Sequence, residues 1–526
     1  MVEGRSRSSG VTAAAALQAV LFGLWPVLLI YTVTLGDYAP EQLTEPLIFV
    51  GSLNLAGWAI LRLLKIDAAR AAFIVSIFSL ANLFYLPFSE FLTFPAKVFP
   101  VPVPDMAVLM GYFIILLSIL LVVAQSELRI AGKAYSLNFE PAVFPAVLIA
   151  VVLCGFNLFT IVDSESRSNA IAGDFSHRYF QSANQLIVNK DAEKPDVYYV
   201  IIDGFANPAT LKDLLGYDNR DFIDFLKQND FYVAHKSSSN HDRTVLSVTS
   251  SLNMGLMNPL ASRAKEVNAG TNVPLKLLRE NRVMQIFKSA GYRIVNVCSG
   301  FCPTDHIPQA DLNLRSGWGT GFNMSLLHVS MIGALEPYLH TVENEYASVR
   351  TAPIRRASEI ANLPGPKFVL IHCLLTHPPF IFQDNGDVRP LTKQLLSAPY
   401  VKEPYVSQLK YTEKNLKELL GRLCRAGNGK SIVILQSDHG PACTDWQDGG
   451  NYILERMRIL NAYRVPERMR GALYQSITPV NTFRVVLNDL FSADLPLQND
   501  DSFIAIPPAD WYKFENVTKL LKQSWK

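Results

Sequence analysis

Two short stretches place acidic and imidazole groups directly after apolar runs. In "VIIDGF", Asp203 follows the run Val197–Ile202, and in "SIVILQSDHGP", Asp438 and His439 follow a second run rich in β-branched residues. Such runs predict buried strands. Carboxylate and imidazole together suit a divalent metal such as Zn²⁺ or Mn²⁺. A metal site is therefore one interpretation of Asp203, and an ordinary turn or a helix N-cap is the alternative.

A hydroxyl-rich stretch lies between these two motifs. In "SSSNHDRTVLSVTSSLNMG", residues 237–255, a helical pattern begins at Thr244. The amides and dipole of a helix N-terminus favour an anion, so a phosphoryl group can be held there beside the Thr244 hydroxyl. A hydroxyl bound to a metal can become a nucleophile. Simple capping of the helix by Thr244 is the alternative. Ser247 and Ser250 are expected on the body of the helix.

Two histidines occur in "FVLIHCLLTHPPF", residues 368–380. His377 follows the predicted strand and precedes two prolines, which favour an extended exit from the sheet. It could contact a phosphate oxygen or act as an acid toward a leaving group. His372 lies inside the strand and is interpreted as a packed core residue.

Strand and helix patterns alternate from about residue 195 to the C-terminus. This alternation predicts a mainly parallel sheet covered by helices on both faces. In such folds ligands bind beyond the carboxyl ends of the strands. Asp203 and Asp438 are therefore expected at the same edge of the sheet.

The first third of the chain is unusually apolar. The whole chain is 49% hydrophobic and only 18% charged. Segments of about 20 apolar residues can cross a bilayer as helices. Five such segments are predicted spans, and a set of buried core helices is the alternative: residues 11–34, 46–64, 71–88, 106–125 and 141–162. The predicted domains are a five-span anchor (1–163), a juxtamembrane connector (164–194) and an extracytoplasmic domain (195–526).

The loops between the predicted spans alternate in charge. The N-terminal tail, the second loop and the fourth loop are basic, whereas the first loop carries Asp37, Glu41 and Glu45. By the positive-inside rule the N-terminus is cytoplasmic, and an odd number of spans places residues 195–526 outside. The expected location is a bacterial cytoplasmic membrane, with the second domain in the periplasm. There, a disulfide between Cys298 and Cys302 is permitted.

The motifs together resemble a known family. "VIIDG", "NHDRTVLSVTSSLNM", "THPPF", "SDHGP", "RILNAYRVP" and "ITPVNTFRVVLNDLF" resemble the membrane-anchored branch of the sulfatase and alkaline-phosphatase superfamily. That branch includes lipoteichoic acid synthases and lipid phosphoethanolamine or phosphoglycerol transferases. The resemblance implies an alkaline-phosphatase-like α/β domain after a helical anchor. It also implies one divalent metal, Mn²⁺ or Zn²⁺, on Asp203, Thr244, Asp438 and His439.

The same resemblance implies roles in catalysis. Thr244 would be the nucleophile, and His377 and Asn240 would face the substrate. No histidine follows His439, which leaves a second metal site in doubt. The cysteine or serine followed by x-Pro-x-Arg that formylglycine sulfatases use is missing at the nucleophile, which disfavours sulfate-ester hydrolysis. Lipoteichoic acid synthases usually carry Glu where Asp203 stands, so their substrate does not carry over.

The expected function is transfer of a phospho-head group from a membrane phospholipid to an envelope glycan or lipid, through a phosphothreonine. A phosphodiesterase with water as acceptor is the first alternative, and a catalytically inactive membrane sensor is the second. Lys plus Arg number 48 and Asp plus Glu 46, so the balanced charge gives no reason to expect a nucleic-acid partner. The expected partners are the bilayer, the lipid donor and the acceptor.

Overall fold

The chain forms two compact units. The computed structural model describes residues 2–98, 105–125, 127–130, 133–180, 193–263, 272–298, 300–315, 317, 321–335, 341–389, 401–505 and 511–525. One unit comprises Met1–Ser166 and Gly321–Leu339, and the other comprises Arg167–Thr320 and His340–Lys526. The predicted domain boundaries did not foresee that Gly321–Leu339 would join the first unit.

The first unit is helical. Many of its apolar side chains are exposed, including Phe113 (52%) and Ile114 (60%), as lipid-facing residues are. A short hairpin separates its last two long helices. The elements before residue 180 are α1 (Val2–Val33), a 3₁₀ turn (Pro40–Leu43), α2 (Thr44–Leu63), α3 (Ala68–Leu83), α4 (Tyr85–Val98), α5 (Asp105–Ala124), β1 (Glu127–Ile130), β2 (Lys133–Ser136) and α6 (Glu140–Tyr179).

Within the described residues, four stretches of helix are long and apolar enough to cross a membrane: Ser9–Val33, Pro40–Leu63, Met106–Ala124 and Glu140–Tyr179. The third predicted span, 71–88, is broken instead, because α3 ends at Leu83 and the chain bends by 64° into Tyr85–Phe91. Pro87 explains the break, since its ring would clash with the carbonyl of Leu83 in a continuous helix. Five spans result only if the bent pair counts as one.

Helix α6 runs well past the predicted fifth span. Its 40 residues correspond to about 60 Å, roughly twice the apolar thickness of a bilayer. No proline interrupts the chain between residues 162 and 179, so the helix continues through the first half of the predicted connector. Residues 181–192 of that connector lie outside the described residues.

The second unit is built on a seven-stranded sheet with the order β4-β9-β8-β3-β7-β5-β6. Strands β8, β3, β7, β5 and β6 are parallel, and β9 is antiparallel to both β8 and β4. The strand bounds are β3 (Val197–Ile202), β4 (Tyr232–Val233), β5 (Arg293–Val297), β6 (Leu312–Leu314), β7 (Lys367–Cys373), β8 (Ile432–Gln436), β9 (Asn461–Arg464), and a separate hairpin of β10 (Phe503–Ala505) and β11 (Phe514–Asn516).

Helices fill the connections between these strands. In chain order they are α7 (Pro208–Asp213), α8 (Arg220–Gln228), α9 (Thr244–Asn253), α10 (Asn272–Arg279), α11 (Arg282–Ser289), α12 (Cys302–Asp305), α13 (Phe322–Val329, in the first unit), α14 (Thr341–Arg355), α15 (Ala357–Asn362), α16 (Lys402–Arg425), α17 (Gly450–Met457), α18 (Glu467–Arg470), α19 (Pro479–Phe491) and α20 (Thr518–Gln523). Short 3₁₀ turns occur at Asn258–Arg263, Gly333–Leu335, Ala426–Gly429 and Trp446–Asp448.

The central strand β3 is buried on both faces. Tyr198, Val200 and Ile202 pack into one apolar core that includes the leucines of α16. Val197, Tyr199 and Ile201 pack into a second core with α11 and α19. Because alternate residues of a strand point to opposite faces, this arrangement requires helices on both sides. The predicted anchor followed by a sandwiched α/β domain is confirmed.

Cys298 directly follows the last residue of β5. The Sγ atom of Cys298 is 2.6 Å from the carbonyl oxygen of Asp305. The side chain of Cys302 lies outside the described residues, so the disulfide stays a prediction.

The membrane topology can be tested with paired reporter fusions. A reporter that works only in the cytoplasm should be silent when fused after Lys526, because the basic loops together with five crossings predict that this end is outside. The same reporter fused after Asp67, in the basic loop between α2 and α3, should be active and serves as the control. Strong activity of the Lys526 fusion would contradict the arrangement.

Candidate functional site

Three neighbouring parallel strands bring the candidate ligands together. Asp203 follows β3, Asp438 follows β8, and His372 lies in β7. Each offers one ligand atom, and these three atoms lie within 4.8 Å of one another. All three side chains are buried, with at most 3% of their surface exposed. The carboxyl edge of the sheet therefore carries a compact cluster of metal-binding groups.

The cluster holds more acceptors than donors. The Nδ1 of His439 lies 2.9 Å from the Gly440 carbonyl oxygen, which can only accept, so Nδ1 carries the proton. In the neutral ring, Nε2 then presents a lone pair, yet it lies 3.1 Å from Asp438 Oδ2. Two acceptors this close need a cation or a proton between them.

Other polar atoms of the cluster also lack donors. Asp203 Oδ1 and His372 Nε2 are buried and have no hydrogen-bond partner within the described part of the chain. Burying such atoms without a partner costs about 1–3 kcal/mol each, and more when they are charged. The donor set, two carboxylates with imidazole nitrogens, is the set that Zn²⁺ and Mn²⁺ accept. The residues therefore fit a divalent metal ion.

Burial also shifts the protonation of these groups. Burial is the larger cause, and the neighbouring Asp203 carboxylate the second, that together raise the pKa of Asp438 to about 7. Burial alone would also raise the pKa of Asp203. The nearby imidazoles, above all that of His377, outweigh the effect of burial and hold the pKa of Asp203 below its usual range. Burial and the Arg456 cation lower the pKa of His439 well below its usual value. The ring of His439 is therefore neutral near pH 7.

Thr244 is the first residue of α9. Its Oγ1 lies 3.0 Å from His439 Nε2 and 3.3 Å from Asp203 Oδ2. The N-cap is Arg243, and no side-chain capping hydrogen bond is made there, so the simple capping alternative for Thr244 is wrong. Thr244 is 8% exposed, more than Asp203, Asp438 or His439. Of these predicted ligands it is the most accessible to a substrate.

The surroundings fix the Asp438–His439 turn. Ser247 Oγ donates to the Asp438 carbonyl at 2.7 Å, and Ser247 is fully buried, so it supports the backbone. A Cβ added at Gly440 would lie 1.9 Å from the carbonyl oxygen of Glu455. Only glycine fits there, which explains the third residue of the "DHG" motif.

His377 is half-buried on the loop after β7. Its Nδ1 lies 2.5 Å from the Pro378 carbonyl oxygen and must donate to it, which leaves Nε2 to meet a substrate. The buried guanidinium of Arg350 donates to the carbonyls of Leu374 (2.9 Å), Pro378 (2.7 Å) and His377. Arg350 therefore holds the shape of the loop that presents His377.

Asn240 is occupied elsewhere. Its Nδ2 donates to Thr478 Oγ1 at 3.1 Å and to the Asp501 carbonyl at 2.9 Å, and its Oδ1 accepts from the Val480 amide at 2.8 Å. Asn240 is fully buried. These contacts give it a structural role, and its assignment to the substrate stays a prediction.

His372 requires a correction. It is buried, as expected of a core residue, but its Nε2 lies 3.4 Å from Asp203 Oδ2 and Nδ1 lies 2.9 Å from Thr304 Oγ1. The register pairs His372 with Ile201, which is on the same face as Asp203 two residues later. Histidine in an otherwise apolar strand was the available signal, but the strand register was needed to interpret it.

Comparisons with known proteins give structural likeness at low identity. No protein-family model matches the chain, and no curated protein matches it. The chain is similar to the periplasmic domain of EcEptC from Escherichia coli, with 14% identity, 63% of this chain and 95% of that chain covered, and a TM-score of 0.40. It is also similar to lipooligosaccharide phosphoethanolamine transferase A from Neisseria meningitidis, an integral membrane protein, with 12% identity, 92% and 95% covered, and a TM-score of 0.38.

A third similar structure is BT1596, a 2-O GAG sulfatase, with 12% identity, 58% of this chain and 72% of that chain covered, and a TM-score of 0.36. These proteins are of the kinds that the sequence motifs resemble. Because the TM-scores are below 0.5, the likenesses carry no weight for activity, substrate or metal. Activity, substrate and metal must therefore be inferred from the geometry of the site.

Metal binding can be tested by substitution of the clustered residues. Asp438→Asn and His439→Gln should each weaken Zn²⁺ or Mn²⁺ binding by more than about 100-fold, since changes to residues that only support ligands cost 10–100-fold. His372→Gln should weaken it by about 10-fold or more. Titration calorimetry on the purified full chain measures the effect, and His235→Gln, at an exposed histidine, is the control.

Thermal unfolding of the metal-free proteins should accompany the titration. Asp438→Asn should not lower the melting temperature, because it removes a buried carboxylate next to another. Wild-type metal affinity in both Asp438→Asn and His439→Gln would contradict the site.

Proposed function

We propose that the chain is a membrane-anchored, metal-dependent phosphotransferase of the sulfatase and alkaline-phosphatase superfamily. It would move a phospho-head group, of phosphoethanolamine or phosphoglycerol type, from a membrane phospholipid to an envelope glycan or lipid. The multi-pass helical unit supports a lipid donor. We further propose that the membrane is the bacterial cytoplasmic membrane, with the second unit in the periplasm.

One observation carries the proposal. The Thr244 hydroxyl stands at a helix N-terminus, in contact with Asp203 and His439, beside buried carboxylate and imidazole atoms that need a cation. A helix N-terminus favours a phosphate, and a cation beside a hydroxyl favours its ionised form. An inactive sensor would have no need of this combination.

The metal would be held by Asp203, Thr244, Asp438 and His439, with His372 as an additional candidate ligand. One divalent ion, Zn²⁺ or Mn²⁺, satisfies the unpaired atoms that the structure shows. When bound, such an ion lowers the pKa of a hydroxyl and offsets phosphate charge. The hydrogen bond from His439 Nδ1 to Gly440 orients Nε2 toward the hydroxyl.

The Thr244 hydroxyl would lose its proton to solvent once a cation is held beside it. In the first step, Thr244 Oγ1 then attacks the phosphorus of the lipid phosphodiester. A bond forms between that oxygen and phosphorus, and the bond from phosphorus to the diacylglycerol oxygen breaks. The departing oxygen needs a proton, and His377 Nε2 is placed to supply it, because Nδ1 is held by the Pro378 carbonyl. Burial lowers the pKa of His377, whereas the Asp203 carboxylate favours its protonated form. The products are a phosphothreonine carrying the head group and a free diacylglycerol.

In the second step, an acceptor hydroxyl attacks the same phosphorus. The neutral ring left by the first step can now take the acceptor's proton at Nε2, as expected when one residue serves both halves of a transfer. The Thr244 oxygen leaves, and the head group is joined to the acceptor. If water takes the place of the acceptor, the same residues perform a phosphodiester hydrolysis.

Intact-mass analysis tests the nucleophile. Purified full chain is incubated with vesicles of phosphatidylethanolamine and phosphatidylglycerol, without an acceptor, and peptides around residue 244 are sequenced. We expect added mass on Thr244 equal to the head group with its phosphate, and matching release of diacylglycerol. Thr244→Ala should abolish both while still binding metal, since Asp203, Asp438 and His439 remain.

Two further variants sharpen that test. Thr244→Ser should retain part of the activity because it keeps a hydroxyl. Ser251→Ala removes a hydroxyl from the same helix, where Ser251 Oγ bonds the Ser247 carbonyl and its side chain also bonds Tyr199, and should react normally. Adduct formation by Thr244→Ala would show that the nucleophile is another residue. Release of the free head group alone, whichever acceptor is added, would indicate the hydrolase.

The Arg350 contacts generate a separate prediction. Arg350→Lys keeps the charge but loses the planar fork that binds several carbonyls. We expect turnover to fall by about 10–100-fold through misplacement of His377, with metal affinity unchanged. Arg355→Lys, exposed on the same helix, is the control. Equal turnover in the two variants would contradict the positioning role.

A further inference from the structure

One segment of the second half of the chain folds with the helical unit. Residues 321–335, here called the return segment, follow β6 in sequence and precede α14, yet they belong to the first unit. The return segment contains α13 and the turn Gly333–Leu335. Its sequence, "GFNMSLLHVSMIGAL", contains no Asp, Glu, Lys or Arg, although 18% of the whole chain is charged.

The start of the return segment packs on the loop after α1. The Phe322 amide donates to Gln42 Oε1 at 3.1 Å. The Phe322 ring meets Tyr31 edge-on at 5.4 Å between centroids and lies 5.3 Å from Tyr38. Gly321 has a φ of +58°, and a Cβ there would lie 2.5 Å from Gln42 Oε1, so glycine is needed for this approach.

The end of the return segment packs on α3 and α5. The Met331 amide donates to the Asn82 carbonyl at 2.8 Å. Met331 is buried in an apolar cluster with Tyr85, Leu109 and Tyr112. Leu109 and Tyr112 belong to α5, which holds a very apolar candidate span. The return segment therefore adjoins a helix that is long and apolar enough to cross a membrane.

These contacts also relate the directions of two helices. Tyr31 lies in the last turn of α1, and Asn82 lies in the last turn of α3. One short segment touches both, so α1 and α3 end on the same side of the helical unit. Helix α2 must run back between them.

Part of the return segment remains open to the surroundings. Ile332 is 54% exposed and Leu335 is 38% exposed. Uncharged sequence with large exposed apolar side chains is unfavourable in water but suited to the boundary of a bilayer.

We propose that the return segment is a second membrane attachment, in which Ile332 and Leu335 contact lipid acyl chains next to α5. The occupant of this surface is the bilayer, because the surface continues the apolar cluster shared with α5 and carries no charge. The inference depends on the helical unit being in a membrane and not on the proposed phosphotransfer.

Photo-cross-linking of the full chain in lipid vesicles tests this attachment. A photoreactive phenylalanine analogue is placed at Ile332 and, separately, at Leu335, and adducts are identified by mass. Phe113 on α5, 52% exposed, is the positive control. Leu497 of the second unit, 48% exposed, is the matched control away from the helical unit.

We expect lipid adducts at Ile332 and Leu335 in yields within about threefold of Phe113, and at least tenfold above Leu497. Yields at the level of Leu497 would overturn the proposal. Adducts only to protein would also overturn it, because they would show that a polypeptide covers the surface. Loss of transferase activity would not change the reading of the adducts, so the two proposals can fail separately.

Discussion

Two buried carboxylates face imidazole lone pairs at one edge of the sheet. This concentration of hydrogen-bond acceptors without matching donors is the constraint on which the second unit depends. Asp438 Oδ2 and His439 Nε2 are 3.1 Å apart, and when Asp438 is ionised neither atom can donate to the other. Such an arrangement is unfavourable in a metal-free fold, since Asp203 Oδ1 and Asp438 Oδ2 have lost water without gaining a donor among the described residues. The packing of the core around β3, β7 and β8 offsets this unfavourable free energy, and a bound cation would remove it.

The backbone around the cluster is held by side chains that do not belong to it. Ser437 Oγ accepts from the Phe205 amide at 2.9 Å and donates to the His439 carbonyl at 2.6 Å. Tyr405 donates to the Gly204 carbonyl at 2.9 Å. These bonds join the turns after β3 and β8, so the ligands are held in position before any ion arrives. Preorganised donors and ligands of this kind favour both metal binding and electrostatic catalysis.

The helical unit follows different rules. Exposed apolar side chains such as Phe113 and Leu148 are favourable only where lipid replaces water. The bend at Phe84 and the packing of the return segment near Asn82 occur at the same end of α3. The break caused by Pro87 and the contact with the return segment therefore lie at the same end of α3. This end of the helix is where the return segment is attached.

The sequence by itself determined the class of architecture and most of the candidate site. Apolar runs of bilayer length, the strand–helix alternation, and the positions of Asp203, Asp438, His439 and Thr244 follow from local patterns. Local patterns could not assign His372, because its nearness to Asp203 depends on the parallel register of β3 and β7. Nor could they show the structural contacts of Asn240, since its partners at Thr478 and Val480 are about 240 residues away. The break of the third span has a local signal in Pro87, but the place of the return segment was decided by tertiary packing. Hydropathy measures only how apolar a segment is, whereas the neighbours of a segment decide which unit it joins.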